Sequence, residues 1–79
     1  MISAQISVYP LRQEHLGPAI EIVKNVLEAY GLALQVGPMS TLVTGAAEKI
    51  FPALQKAFIE ATTTGHVVMT ITVSNACPL

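Results

Sequence analysis

Thr70, Thr72 and Ser74 place a hydroxyl on every second residue near the end of the chain. Near its start, Ser3, Gln5, Ser7 and Tyr9 alternate in the same way with hydroxyl, amide and phenol groups. In an extended strand, residues two apart share a face, so each set forms a row of neutral donors and acceptors. Such rows recognise a ligand by hydrogen bonding; they do not move protons at neutral pH. The groups that could do so are few. There is no Asp, and the five Glu lie on or next to segments with helical periodicity. Glu14 and His15 are adjacent, which fits a solvated helix start better than a shared catalytic site. His66 follows a turn and reads as a surface or capping residue rather than a general base. Cys77 has no expected neighbour that would activate its thiol and reads as a small packing residue.

Other chemistries lack their ligand sets. Two histidines and one cysteine, widely spaced, make no metal cluster, and there is no CxxC. No metal site and no resident cofactor are expected. RNA binding on a sheet would need exposed aromatics in basic surroundings, whereas the chain offers Tyr9 and four cations. A net charge of −1 leaves no electrostatic footprint for nucleic acid or an anionic membrane.

Seventy-nine residues make a single domain, 1–79, with a small core. Only 11% of them are charged and 52% are hydrophobic, against about 25% charged in an average soluble domain. A surface so poor in charge is expected to be partly covered, most simply by a second subunit. The lone cysteine suggests a reducing compartment. The N-terminus has no cationic head before a long apolar run, so no signal peptide is expected, and a cytoplasmic location follows. The apolar stretches are interrupted well short of the roughly 20 residues a membrane helix needs.

The elements follow from period. "ISAQISVY" alternates cleanly and is ended by Pro10. From His15 to Tyr30, the residues Leu16, Ile20, Val23, Leu27 and Tyr30 form one helical stripe, with Gly31 placed as a left-handed C-cap. "LALQV" and "MSTLVTG" read as strands on either side of a Gly37-Pro38 turn. A second helix runs from about Ala47 to Thr63. Its stripe is Ile50, Phe51, Leu54, Ala57, Phe58 and Ala61, all expected in the core, and Pro52 is expected within its first turn. His66 to Ser74 is the last strand. The order βαββαβ, with short links and right-handed crossovers, predicts an α+β, ferredoxin-like domain. Its four-stranded antiparallel sheet has the first strand between the third and fourth, and two helices cover one face.

Alternation then assigns the other face. Val67, Met69, Ile71 and Val73 continue the apolar set Ile2, Ala4, Ile6 and Val8 under the helices. Val68, Thr70, Thr72 and Ser74 share the open face with Ser3, Gln5, Ser7 and Tyr9. On the third strand Ser40, Leu42 and Thr44 are assigned to the open face, against Met39, Thr41 and Val43. Solvated sheets normally carry Lys and Glu, whereas here the charges fall on the helices. A neutral polar face suits burial against a second sheet if its hydroxyls find partners. It also suits a small heteroaromatic ligand at the margin of such an interface. A wetted face rich in Ser and Thr for their strand propensity is the plainer alternative.

"ISVYPL", "VGPMSTLVTG" and "GHVVMTITVSNACP", in this order and spacing, with "IFPALQKAF" in the place of the second helix, resemble the YkoF-like thiamine/hydroxymethylpyrimidine-binding family over nearly the whole chain. The resemblance implies a ferredoxin-like domain that binds thiamine or its pyrimidine half without converting it. A single copy of the domain then implies a homodimer formed through the open sheet face, with scope for a dimer of dimers. Carried over, the ligand would be lined by Ser7 and Tyr9, by Ser40 and Thr41, and by Thr70, Thr72 and Ser74. Alternation separates Ser40 from Thr41, so the two compete for one place. An aminopyrimidine presents an amino donor and ring-nitrogen acceptors to such groups, and Tyr9 could stack on its ring. The competing function is a structural or regulatory oligomer of the same fold that binds another metabolite or none.

Overall fold

The structure, a computed structural model, describes residues 1–11, 17–37 and 40–76. Its elements are β1 (Ile2–Pro10), α1 (Gly17–Ala29), β2 (Ala33–Val36), β3 (Thr41–Gly45), α2 (Ala47–Ala61) and β4 (Val67–Ser74), with a single 3-10 turn at Thr62–Thr64 before β4. The antiparallel sheet has the order β2-β3-β1-β4, so β1 is flanked by β3 and β4 as the crossover rules require. The architecture is the ferredoxin-like α+β fold expected from the order of elements. No helix among the described residues is long and apolar enough to cross a membrane.

Local chemistry sets the boundaries. α1 ends in a Schellman motif, in which the Gly31 amide donates to the Glu28 carbonyl at 2.9 Å and the Leu32 amide to the Leu27 carbonyl at 3.4 Å. Gly31 has φ +74°, which a side chain would strain. Leu32 then drops into the core beside Leu27. After α2, Thr62, Thr63 and Thr64 each donate a hydroxyl hydrogen bond to the carbonyl three residues earlier, which tightens the last turn toward β4. Pro52 is the sixth residue of α2 rather than a member of its first turn. Its missing amide leaves the Glu48 carbonyl to solvent, which the exposure of both residues allows.

The core is Ala4, Ile6 and Val43 from the sheet, closed by Val23, Val26 and Leu27 of α1 and by Ile50, Ala53, Leu54, Ala57 and Ala61 of α2. Two helical stripes differ from the expectation. On α1 the buried line runs through Ala19 and Val26, and Ile20 is exposed; Leu16 lies outside the described residues. On α2 Phe51 and Phe58 are exposed rather than in the core. The alanines give the reason. A helix sits closest to a sheet along its line of small side chains, and the bulky residues beside that line are left on its flank.

Candidate functional site

The register of the sheet fixes which side chains share the uncovered face. Along β1, Ser3 lies opposite Ser74, Gln5 opposite Thr72, Ser7 opposite Thr70 and Tyr9 opposite Val68. On its other side, Ser3 faces Thr44 and Gln5 faces Leu42, which in turn face Ala33 and Gln35 of β2. Rows of this kind repeat about every 7 Å along the strands and about 4.8 Å across them. The helix-side set, including Ala4, Ile6 and Val43, is buried, so the rows just named form the opposite face.

The sequence-expected residues divide accordingly. Ser7, Tyr9, Thr70, Thr72 and Ser74 stand together on the open face, and Ser40 joins them by accepting a hydrogen bond from Gln5 Nε2 at 3.1 Å. Thr41 is the exception. It pairs with Ile6 and Val36 on the helix side, because period two separates it from Ser40. Ser74 lies at one end of the face and is engaged locally: its hydroxyl accepts the Ala76 amide at 2.9 Å and donates to the Ala76 carbonyl at 3.3 Å. Ser3, at the same end, is almost fully buried, whereas Tyr9, Thr70 and Thr72 are exposed.

Gln5 belongs to the constellation as well, although the family resemblance does not point to it. It lies on the central strand between Leu42 and Thr72, and its carboxamide is able to donate and accept side by side. The signal was in the sequence, since Gln5 alternates with Ser3 and Ser7.

Charge is segregated by layer. All seven described charged side chains lie on helices: Glu21, Lys24 and Glu28 on α1, and Glu48, Lys49, Lys56 and Glu60 on α2. Lys24 and Glu28 approach to 4.0 Å as an exposed (i, i+4) pair. The open face therefore offers hydrogen bonds, a phenol ring and a little apolar surface from Leu42 and Val68, without formal charge. It is also a sheet surface rather than a cleft. A groove of about 360 Å³ lies instead between the helices, lined by Ile22, Val26, Tyr30, Lys56 and Glu60 among others. To enclose a small molecule, the open face needs a second layer.

The other candidate groups are dispersed. His66 precedes β4, where its carbonyl accepts the Leu11 amide at 2.8 Å. Glu14, His15 and Cys77 lie outside the described residues, as do Pro38 and Met39. Among the described residues, no three His, Cys or Glu side chains are grouped to hold a metal ion.

The chain belongs to the YKOF-related family, whose profile matches residues 1–79. Among solved structures it superimposes on the Methanocaldococcus jannascii protein MJ1052 with a TM-score of 0.85 at 19% identity, covering 95% of this chain and 79% of that one. The Streptococcus pneumoniae protein SP2199 gives a TM-score of 0.86 at 21% identity, covering 95% and 86%. The Thermotoga maritima protein TM0486, whose name assigns it provisionally to thiamine biosynthesis or salvage, gives 0.84 at 19% identity, covering 95% and 83%. No curated protein matches the chain in sequence.

Proposed function

Taking membership of the YKOF-related family as the premise, we propose that two copies of this chain pair through their open sheets and hold a thiamine-type aminopyrimidine between them, without converting it. The observation that carries this reading is the segregation of charge. Every described charge sits on the helical layer, and the open face keeps neutral hydrogen-bonding groups with a little apolar surface. Such a face loses less on desolvation than a charged one, and its hydroxyls recover hydrogen bonds from a partner sheet or a polar ligand. The name of the Thermotoga maritima structure is consistent with the same ligand class.

The contacts follow from chemistry. Ser7, Thr70 and Thr72 each donate or accept as the pyrimidine edge requires, and Ser40, hydrogen-bonded to Gln5, extends the row toward β3. Tyr9 stacks on the ring. Thiamine also carries a permanent cation, and the described residues of the open face offer no carboxylate to it, so recognition rests on the neutral pyrimidine half. With no paired acid and base on the face, the protein binds and releases its ligand unchanged. Its place is thiamine or precursor transport, salvage or sensing in the cytoplasm.

Calorimetric titration with thiamine, hydroxymethylpyrimidine, thiamine phosphate and the isolated thiazole tests the proposal. Heat from thiamine and the pyrimidine, with none from the thiazole, is the expected pattern. Binding of the thiazole alone would reverse the assignment of the recognised moiety. Silence from all four in a folded, assembled protein would leave the open face as an assembly surface only.

A further inference from the structure

The groove between α1 and α2 takes no part in the sheet site, and its volume is about 360 Å³. That falls within the range of about 300–1,000 Å³ usual for small-molecule sites. Ile22, Val26 and Ala29 form its α1 wall, with Val26 buried at the base. Their spacing of three and four residues makes one apolar stripe, which ends at Tyr30 after about 12 Å. A partner helix seated on so short a stripe would bury far less than the roughly 1,000 Å² of a specific protein interface. A small molecule fits it.

Four polar groups border this apolar stripe. Asn25 and Tyr30 of α1 bring a carboxamide and a phenol, and α2 brings Lys56 and Glu60, one charge of each sign a helical turn apart. Among the described residues Lys24 and Glu28 pair at 4.0 Å, whereas Lys56 and Glu60, with the same spacing and order, form no ion pair. Lys56 is exposed and Glu60 half-buried. This charge pattern selects the ligand. A purely apolar molecule would desolvate both ions without giving either a partner. An anion would meet Glu60, and a cation would meet Lys56. A zwitterion satisfies both.

We infer that the groove between the helices is a binding site for an apolar α-amino acid of the leucine or phenylalanine class. The ligand carboxylate meets the Lys56 ammonium, and the ligand ammonium meets the Glu60 carboxylate. An α-amino acid carries both groups on one carbon. Two long side chains with Cβ atoms about 6 Å apart on one helix face can close on them from either side. The apolar body of the ligand lies along Ile22, Val26 and Ala29, where its burial is favourable. Asn25 and Tyr30 add hydrogen bonds at the rim. Among the described residues the sheet carries no charge, so it does not compete for a zwitterion. The site is separate from the open face and does not depend on the pyrimidine reading.

Titration of the isotope-labelled full chain with L-leucine and L-phenylalanine, read from amide NMR shifts, tests the inference. Saturable shifts are expected at Asn25, Ala29, Lys56 and Glu60, with half-saturation at about 1 mM for so small a ligand in an open groove. Lys56→Gln and Glu60→Gln, each confirmed as folded by circular dichroism, should weaken binding about tenfold and leave the heats of hydroxymethylpyrimidine unchanged. Lys24→Gln, on the far side of α1, should have no effect. Isocaproate and isoamylamine each lack one charge of leucine, and glycine lacks the apolar body, so all three should bind about tenfold more weakly. Isocaproate or isoamylamine binding as well as leucine would overturn the zwitterion assignment. Shifts confined to the sheet, or none at about 20 mM amino acid, would overturn the site. Groove amides that shift with protein concentration alone and then ignore the amino acid would make a second copy the occupant, which overturns it equally.

Discussion

Replacing Thr72 with lysine puts an ammonium group on the open face, on the edge strand β4. Thr72 lies opposite Gln5 on the central strand and is exposed within one chain, so the substitution leaves the isolated fold intact. In a sheet-to-sheet pair, each such lysine is buried without a partner. Desolvation of each unpaired ion costs at least about 2 kcal/mol. The pair is therefore weakened by about 4 kcal/mol, or about three orders of magnitude in Kd. Sedimentation across a range of protein concentrations, with far-UV circular dichroism to confirm folding, reads this directly. The variant should fall to half the wild-type mass, and Thr72→Ser should not. A folded Thr72→Lys protein with wild-type mass and concentration dependence would refute the reasoning, because the open face would then meet only water.

Three further substitutions probe the ligand and the frame beneath it. Tyr9→Ala should weaken pyrimidine binding about fivefold by titration, from the loss of about 1 kcal/mol of stacking, while Tyr9→Phe stays near wild type. Gly31→Ala forces a side chain into the left-handed region that closes α1 and should cost about 1–2 kcal/mol in chemical denaturation, with Gly31→Asn milder. Gly45→Ala adds a methyl whose carbon would lie 2.6 Å from Leu32 Cδ2. Leu32 is buried and has little room to move, so thermal unfolding should reveal a loss of about 1–3 kcal/mol.

Much of the fold was legible because strand period and turn chemistry act locally. Alternation in β1 and β4 was enough to assign their faces, and Gly31 was identifiable as a cap from its place after the α1 stripe. Pairing of the strands then followed from crossover handedness rather than from any single residue. The helical faces were harder. Ile20, Phe51 and Phe58 sit within one step of the buried lines, and their size made them resemble core residues. What decides the seating is the run of Ala53, Ala57 and Ala61, which lets the α2 backbone approach the sheet and turns its two phenylalanines outward. At the site, Ser40 and Thr41 were adjacent candidates for one position, and the pairing of Thr41 with Ile6 assigns Thr41 to the helix side. Gln5 was visible on the right face but gained weight only once its neighbours Leu42, Thr72 and Ser40 were known.

The division of charge between the layers also separates two demands that most small proteins must meet with the same residues. Among the described residues, the charges that can repel a neighbouring molecule lie on the helical layer, and the sheet carries none. Added salt screens exposed charges within about 10 Å at 0.1 M, so it acts on dispersal and leaves a neutral sheet interface nearly untouched. The helical surface can accordingly exchange one charge for another to suit a new solvent milieu without altering the described sheet face.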